Sequence, residues 1–381
     1  MGESILDISE LKTNFYTYEG VVKAIDEISF SLEKGDTLGI VGETGCGKSV
    51  TVLSILQLIL PPGKIESGRI VYKANGKRIN LLEQSEPFMR NVRGNEISMI
   101  FQEASSALNP VLNINTQVSE SFLLHRQKEL CESVLENLSE RVAKSKRFSR
   151  LFLRCLNYRY KKKLRKAENN LLKHGHYGRL IKKDAKRLTI DLLASLGIPN
   201  PSEVIKRYPH ELSGGMQQRV VISMALACNP NILIADEPTS NLDVTIQAQI
   251  LDLIEKLKGE YKSSILFITH DLGVVAEIAS KVIVLYAGAL VEFAPVRELF
   301  KNPLHPYTKA LLNSVPKLER RERLDSIRGN VPNLVDPPAG CRFHPRCPGV
   351  MDICRSSKPE QIINRTHGGQ VHSVACFLYK P

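Results

Sequence analysis

Residues 42–49 of this 381-residue chain read Gly42, Glu43, Thr44, Gly45, Cys46, Gly47, Lys48 and Ser49. The octapeptide fits the pattern G-x-x-x-x-G-K-[ST], in which the glycines let successive backbone N–H groups face a phosphate. The apolar run at 37–41 predicts a strand directly before this loop, and residues 49–60 predict a helix directly after it. Strand, loop and helix in this order form a nucleotide-binding unit, and the helix N-terminus adds the positive end of its dipole. The sequence therefore predicts an α/β fold built around a phosphate-binding loop.

Two side chains at the end of the loop have predicted roles. Lys48 should reach the β- and γ-phosphates of a nucleotide, and the Ser49 hydroxyl should bind Mg²⁺. A chance glycine-rich turn is the alternative, but the predicted strand and helix on either side disfavour it.

A second apolar run, at residues 232–237, ends in two carboxylates. Asp236, at the end of the predicted strand, suits a Mg²⁺ ligand that acts directly or through water. A carboxylate at Glu237 can polarise an attacking water as a general base. The alternative is a strand that simply ends in two solvated acids.

Residues 212–219 predict the start of another helix, with Ser213, Gly214 and Gly215 at its opening. Serine is a favoured N-cap and a helix N-terminus attracts anions, so this is a second candidate anion site. Taken alone, the pattern also fits an ordinary helix cap.

Together these segments resemble the ATP-binding-cassette (ABC) ATPases, over about residues 5–125 and 187–300. Residues 212–217 match the signature motif of that family, which is more specific than the phosphate loop. Gln102 is similar to the Q-loop glutamine, and His270 is similar to the switch histidine.

The D-loop of the same family resembles residues 240–243, although this chain has Asn241 where the family more often has alanine. An aromatic residue before the first strands usually stacks on adenine in the family. Three residues lie in that window and the sequence does not choose among them: Phe15, Tyr16 and Tyr18.

The resemblance implies a full set of site residues. The ATP-binding positions would be Gly42, Glu43, Thr44, Gly45, Cys46, Gly47, Lys48, Ser49, Val50, Gln102, Asp236, Ser213, Gly214, Gly215 and Gln217. The Mg²⁺ ligands would be Ser49, Gln102 and Asp236. The catalytic residues would be Glu237, His270 and Gln102.

The resemblance also implies how such a site works. Two cassettes pack head to tail, and the signature helix of one completes the ATP site of the other. Hydrolysis separates the pair, and this opening and closing drives a membrane partner.

Composition fits a peripheral protein at the cytoplasmic face of the membrane. The hydrophobic content is 43%, which is ample for a core. No apolar run reaches the ~18–20 residues that a membrane span needs, and residues 1–4 lack the basic-then-apolar pattern of a signal peptide. We therefore expect membrane partners to hold the chain in place.

The net charge of +12 is concentrated in one segment. Residues 141–190 contain 18 Lys and Arg against two acids, a net +16. We interpret this as a basic insertion at about 127–183, within a helical subdomain at about 103–228 that is shorter in the resembled family. One or two solvated basic helices, or contact with anionic lipid headgroups, are the main interpretations. Nucleic-acid binding is the least favoured.

Four of the eight cysteines lie near the C-terminus, namely Cys341, Cys347, Cys354 and Cys376. Because a cytosolic protein keeps its thiols reduced, four converging thiolates indicate a metal site and not disulfides. The spacing lacks the C-x₂-C pairs of most structural zinc sites. It resembles the cysteine motif of dipeptide and oligopeptide importer ATPases, which holds a [4Fe–4S] cluster, with Zn²⁺ as the alternative. Residues 303–312 and 327–332 resemble the same subfamily.

We therefore predict an ABC ATPase domain at 1–293, with an antiparallel β part near 5–35 and 66–80, and a cysteine-rich extension at 294–381. The resemblance implies an ATP-hydrolysing subunit of a peptide/nickel-class importer for dipeptides or oligopeptides. Its partners would be a second homologous ATPase subunit, usually a different chain in this family, two transmembrane permease subunits and an extracytoplasmic substrate-binding protein. An oligosaccharide importer is the nearest alternative, and a soluble ABC regulator that binds nucleic acid is an alternative of another class.

Overall fold

A computed structural model of the chain describes residues 3–74, 76–144, 158, 175–240, 242–314, 327, 329–365 and 369–380. The chain divides into two compact units. The first contains residues 1–93, 231–239 and 254–381, and the second contains residues 94–230 and 240–253.

The strands, in chain order, are β1 (Ser4–Thr17), β2 (Gly20–Glu33), β3 (Thr37–Val41), β4 (Gly63–Ala74), β5 (Lys77–Asn80), β6 (Ile97–Ile100), β7 (Ile232–Asp236), β8 (Ser264–Ile268), β9 (Lys281–Tyr286), β10 (Ala289–Pro295), β11 (Ile362–Arg365) and β12 (Val371–Val374).

The α-helices are α1 (Lys48–Ile55), α2 (Glu86–Val92), α3 (Ala104–Ala107), α4 (Ile114–His125), α5 (Gln127–Lys144), α6 (Gly175–Ser195), α7 (Pro201–Val204), α8 (Gly214–Leu226), α9 (Val244–Tyr261), α10 (Leu272–Ile278), α11 (Val296–Lys301), α12 (Pro306–Asn313) and α13 (Ile353–Ser356).

One sheet of the first unit is antiparallel, with the strand order β2-β1-β4-β5. Leu6 and Ile8 of β1 are two residues apart, so both point to the buried side. A register shift between Ile8 and Leu11 keeps Leu11 on that side as well. The predicted antiparallel part is therefore present, and β4 begins at Gly63, somewhat earlier than expected.

The other sheet of the first unit has the strand order β11-β12-β10-β9-β3-β8-β7. Strands β9, β3, β8 and β7 run parallel, whereas β10, β12 and β11 pair in antiparallel fashion. All residues of β3, β7 and β8 are buried, as expected for strands covered on both faces. Because parallel strands end at the same edge, the residues that follow β3, β7 and β8 lie at one edge of this sheet.

The helix after the phosphate loop is shorter than the sequence predicted. Helix α1 ends at Ile55 and not near Leu60. Gln57 adopts a left-handed φ of 51°, which a continuing helix cannot contain, and Pro61 and Pro62 follow. The helix predicted from the apolar run was therefore too long, because the residues after Ile55 leave the helix in a turn.

The C-terminal residues add to the core of the first unit. The boundary expected between residues 293 and 294 falls inside β10, which pairs with β12. Glu292 of β10 is fully buried and accepts hydrogen bonds from the backbone N–H groups of Leu304, at 2.8 Å, and His305, at 2.9 Å. Its Oε1 also lies 2.8 Å from Nε2 of His372 on β12. One buried carboxylate therefore links β10 to two parts of the extension.

The second unit contains β6, helices α3 to α8 and the first part of α9, and it covers the range predicted for a helical subdomain, about 103–228. Helix α6 is amphipathic, because Ile181 and Ala185 are buried whereas Lys182, Lys183 and Lys186 are exposed. The range predicted as a basic insertion, about 127–183, begins with α5 and ends within α6, and its centre lies outside the described residues. None of the helices in the described ranges is long and apolar enough to cross a membrane.

Replacement of the buried carboxylate, Glu292→Ala, is expected to lower the free energy of unfolding by several kcal/mol. Each buried donor left without an acceptor costs ~1–3 kcal/mol, and this residue accepts from two backbone N–H groups. Urea unfolding followed by circular dichroism measures the effect. Glu255→Ala, at an exposed position of α9, is the control, and equal unfolding midpoints for the two variants would contradict the assignment.

Candidate functional site

The phosphate loop runs from the end of β3 to the start of α1, and two of its glycines cannot be replaced without strain. A Cβ atom at Gly42 would lie 2.2 Å from the carbonyl oxygen of Leu285. Gly47 is the N-cap of α1 and has a φ of 101°, a conformation that L side chains rarely adopt. The glycines therefore allow the loop to pass close to β9 and to turn into the helix.

Lys48 is buried at the start of α1. Its ammonium group donates hydrogen bonds to the carbonyl oxygens of Gly42, at 2.7 Å, and Glu43, at 3.2 Å. The positive charge thus lies against the backbone of the phosphate loop, where a bound phosphate would be neutralised.

Asp236, the last residue of β7, lies beside the loop. Burial raises the pKa of its carboxyl group, while a hydrogen bond with the Ser49 side chain and the charge of Lys48 act in the opposite direction. Among the described residues, Oδ1 of Asp236 is buried without a hydrogen-bond partner. A carboxylate oxygen in this state, next to a hydroxyl, fits the hard oxygen donors that Mg²⁺ prefers. Asp236 and Ser49 thus form a fitting pair of ligands for Mg²⁺.

Glu237 and His270 meet at the edge where β7 and β8 end. The Oε1 atom of Glu237 lies 3.2 Å from Nδ1 of His270. The Glu237 backbone has a left-handed φ of 44°, and its N–H donates to the Ile268 carbonyl oxygen at 2.9 Å. Such strain in a non-glycine residue is typical of sites that hold a side chain in a fixed direction. The carboxylate is mostly buried and the imidazole is exposed, so the pair faces the outside of the first unit.

The signature segment belongs to the second unit. Ser213 is the N-cap residue of α8, and both Ser213 and Gly214 are exposed. A Cβ atom at Gly215 would lie 3.1 Å from Ile246, so this glycine lets α8 approach α9 closely. The Gln217 side chain donates from Nε2 to the carbonyl oxygens of Pro209 and Leu212, at 2.9 and 3.2 Å. In this structure the Gln217 amide group therefore holds the preceding turn in place.

Gln102 also belongs to the second unit and follows β6 in the chain. Gln102 is exposed, and its backbone carbonyl oxygen accepts a hydrogen bond from the Ser240 hydroxyl at 2.9 Å. This bond connects the Q-loop candidate to the first residue of the D-loop candidate. Asn241, the position that departs from the family, lies outside the described residues.

The three aromatic candidates for adenine stacking differ in their surroundings. The Phe15 ring lies over Gly63, where a Cβ atom would be 2.6 Å from the ring. The Tyr16 hydroxyl donates to Glu66 at 2.7 Å. The Tyr18 side chain is 97% exposed at the turn between β1 and β2. Of the three, Tyr18 presents the ring that is most accessible to a ligand.

The four C-terminal cysteines lie near one another. Burial raises the pKa of the Cys341 thiol to about 11, and the charges of Cys354, Cys376 and Cys347 act in the same direction. The backbone N–H of Cys341 donates to the Cys354 carbonyl oxygen at 2.8 Å. In the described part of the chain, however, no three His, Cys, Asp or Glu side chains form a group that could hold a single metal ion.

Two residues that contact the phosphate loop were not foreseen. The backbone N–H of Glu43 donates to the Tyr307 hydroxyl at 2.9 Å, and the Glu43 carboxylate pairs with Arg346. Tyr307 lies in the segment 303–312 that resembles importer ATPases. The sequence therefore marked this segment, but it did not indicate a contact with the phosphate loop. Arg346 carried no signal, because only its neighbour Cys347 belongs to a recognisable pattern.

Comparison with known families gives two matches. Residues 25–240 match the ABC transporter family. Residues 291–354 match the family described as the C-terminal region of oligopeptide/dipeptide transporters.

Curated relatives are similar over nearly the whole chain. A probable peptide ABC transporter ATP-binding protein of Sinorhizobium fredii is 41% identical over 98% of this chain and 94% of its own length. A dipeptide transport ATP-binding protein of Bacillus subtilis is 41% identical over 99% of this chain and 95% of its own length. An oligopeptide transport ATP-binding protein of the same organism is 39% identical over 99% of this chain and 97% of its own length.

Solved structures support the fold. A dimeric ATP-binding cassette bound to ADP and phosphate has a TM-score of 0.55 at 20% identity, covering 77% of this chain and 99% of that chain. A component of an ABC transporter complex from Clostridium perfringens has a TM-score of 0.52 at 21% identity, covering 79% of this chain and 92% of that chain. At these identities the likeness concerns the fold alone.

Asp236→Asn is expected to weaken Mg²⁺-dependent nucleotide binding, because the buried anionic oxygen becomes a neutral amide. Loss of an outer-shell partner already costs ~10–100-fold in metal affinity, so a loss at least this large is expected for a carboxylate that serves the ion. Titration of Mg²⁺ against a fluorescent ATP analogue gives the half-saturating Mg²⁺ concentration. Asp252→Asn, at an exposed position of α9, is the matched control. The same half-saturation for Asp236→Asn and wild type would show that this carboxylate does not serve the ion.

Proposed function

The chain belongs to the ABC transporter family, and from this membership we propose that it is the ATP-hydrolysing subunit of an importer for dipeptides or oligopeptides. The observation that carries the proposal is full-length similarity. Relatives named for peptide, dipeptide and oligopeptide transport match 98–99% of the chain at 39–41% identity. The match of residues 291–354 to the C-terminal region of such transporters adds a second, local agreement.

The two alternatives from the sequence are not favoured. An oligosaccharide importer ATPase and a soluble nucleic-acid-binding regulator would both share the cassette. The similarity, however, continues through the C-terminal extension to proteins that are named for peptide transport.

ATP binding follows from the geometry of the first unit. The loop between β3 and α1 offers backbone N–H groups and a helix N-terminus to the triphosphate. Lys48 adds a buried positive charge beside Gly42 and Glu43. Asp236 and Ser49 would hold Mg²⁺, which when bound offsets phosphate charge.

Hydrolysis is assigned to Glu237 and His270. Glu237 accepts the proton of the attacking water as general base. His270, with Nδ1 at 3.2 Å from the carboxylate, fixes the direction of that side chain. Since the carboxylate is already held by a strained backbone, little reorganisation is needed when the nucleotide arrives.

The exposed signature segment fits a site that is completed by a second cassette. Ser213 and Gly214 at the start of α8 have their side chain and backbone open to a partner. We propose that they contact the nucleotide of a neighbouring, homologous ATPase subunit, and that Gln217, whose amide group holds the turn before α8, supports them. Gln102 stays predicted as a Mg²⁺ ligand and catalytic residue. Two transmembrane permease subunits and an extracytoplasmic substrate-binding protein complete the importer, and they hold this subunit at the cytoplasmic face of the membrane.

Adenine recognition is assigned to Tyr18. Its ring is exposed, while Phe15 lies over Gly63 and Tyr16 is bonded to Glu66. An accessible aromatic face can stack on a base without prior rearrangement.

We also propose that Cys341, Cys347, Cys354 and Cys376 hold a [4Fe–4S] cluster. The proposal is supported by the 2.8 Å backbone hydrogen bond from Cys341 to Cys354 and by the nearness of the thiols of Cys347, Cys354 and Cys376 to that of Cys341. A cubane is bound by four thiolates at its corners, so it needs no convergence on a single ion. When bound, the cluster would supply iron–sulfur bonds that tie four points of the extension together.

The basic insertion stays a prediction with two interpretations. The exposed lysines of α6 (Lys182, Lys183 and Lys186) form a solvated basic face. The same face suits anionic lipid headgroups, to which each cation contributes ~1 kcal/mol near the surface. Nucleic acid remains the least favoured ligand.

Glu237→Gln is expected to retain ATP binding and to lose most turnover. Removal of a general base typically lowers the rate ~10²–10⁴-fold. In an importer reconstituted with its permease and partner ATPase subunits, peptide uptake should fall with ATP turnover. Lys48→Ala should instead weaken ATP binding itself, since it removes the charge beside the loop.

The exposed carboxylate variant Glu255→Gln serves as the control. Wild-type hydrolysis by Glu237→Gln in the assembled importer would contradict the assignment of the base. Uptake that responds to oligosaccharides and not to peptides would contradict the proposed cargo.

Chain purified without oxygen is expected to contain about four irons and four sulfides and to show broad visible absorption. Cys347→Ser should release the iron and loosen the extension, which thermal unfolding would detect. Cys228→Ser, at a buried cysteine of the second unit, should keep the iron. Stoichiometric zinc without iron or sulfide would contradict the proposed cluster and indicate a four-thiolate zinc site.

A further inference from the structure

Glu43, the second residue of the phosphate loop, is held at three separate groups. Its backbone N–H donates to the Tyr307 hydroxyl at 2.9 Å. Its carbonyl oxygen accepts from Lys48 at 3.2 Å. Its carboxylate forms a bidentate pair with Arg346, with Nη1 to Oε2 at 2.8 Å and Nη2 to Oε1 at 3.2 Å. Two of these three partners come from the C-terminal extension.

Arg346 is fixed before it reaches the loop. Its side chain is only 5% exposed. It also donates to the Tyr286 hydroxyl, at 3.2 Å, and to the Ile327 carbonyl oxygen, at 3.4 Å. The guanidinium group is therefore held in place by the core, and it fixes the position of the Glu43 carboxylate that pairs with it.

The backbone that carries Arg346 is anchored in the core. Phe343, three residues earlier, is almost fully buried and packs edge-on against Tyr286, with ring centroids 5.1 Å apart. The same Phe343 ring lies 5.4 Å from the ring of Tyr307. Tyr307 thus belongs to an aromatic cluster with Tyr286 and Phe343, and Arg346 contacts the same cluster through Tyr286.

We propose that Arg346 is a positioning residue for ATP binding, which acts through Glu43 to fix the phosphate loop and to neutralise a carboxylate beside the triphosphate. Without Arg346, the carboxylate would lie uncompensated next to a ligand of the same charge. The loop would also lose the restraint that keeps its first turn against β9. Both effects weaken ATP binding, and neither touches the general base. This inference rests on the ATPase activity proposed above.

The test is a double-mutant cycle on the full chain in the reconstituted importer. Arg346→Gln is expected to raise the ATP KM about tenfold, which corresponds to about 1.4 kcal/mol, with kcat changed less than about twofold. Glu43→Gln should also raise KM. Because the arginine acts through the carboxylate, the double variant should be no worse than Arg346→Gln alone. Arg346→Lys should recover only part of the affinity, since lysine cannot form the bidentate pair.

Two arginines of the same segment serve as controls. Arg355 is exposed and, like Arg346, is next to a cysteine of the extension. Arg355→Gln should leave the ATP KM unchanged. Arg342 is buried, and its guanidinium group contacts Asp26, at 3.0 Å, Lys23 and Ala287, but not Glu43. Arg342→Gln loosens the same segment, so it should lower the melting temperature while raising the ATP KM less than Arg346→Gln does. A KM for Arg342→Gln as high as that for Arg346→Gln would mean general loosening, and would overturn the proposal.

Further outcomes bear on the inference directly. An unchanged KM in Arg346→Gln, or effects of Arg346→Gln and Glu43→Gln that add in full, would refute it. If Arg346→Gln does not fold, Arg346→Lys and Glu43→Gln test the pair together, and a wild-type KM in both variants has the same meaning. A wild-type importer that does not hydrolyse ATP would instead refute the proposed function, so the two failures are distinguishable.

Discussion

A loop that binds phosphate through its backbone has few side chains with which to hold its own shape. In this chain the constraint is severe, because a Cβ atom at Gly42 would lie 2.2 Å from the Leu285 carbonyl oxygen of β9, and Gly47 has a positive φ. The shape must therefore come from the surroundings. A fully buried strand fixes one end of the loop, a helix fixes the other, and the C-terminal extension holds the turn between them.

The parallel part of the sheet then places the chemistry. Strands β3, β7 and β8 are neighbours that end at one edge, so three distant pieces of sequence deliver the loop, two carboxylates and a histidine to one place. Burial keeps Asp236 in contact with Ser49, whereas His270 is left exposed. The buried position suits the role proposed for Asp236, since an ion is best held in a fixed polar pocket.

Much of this arrangement could be predicted from the sequence. The strand at 37–41 and the strand that ends at Asp236 have the predicted bounds, because an apolar run between polar residues is a strong local signal. The end of α1 could not be predicted, since a left-handed Gln57 leaves no trace in hydrophobic periodicity. The contacts of Glu43 with Tyr307 and Arg346 could not be predicted either, because they are tertiary contacts between residues that form no local pattern.

The long sequence separation between Glu43 and Arg346 has a consequence for biosynthesis. Glu43 and Arg346 are 303 residues apart. At ~5–20 residues per second, a ribosome needs about 15–60 s to add the second partner after the first. Throughout that time the nascent chain carries a complete phosphate-loop sequence that lacks its restraint. The order of translation thus delays a finished nucleotide pocket until almost the whole subunit exists.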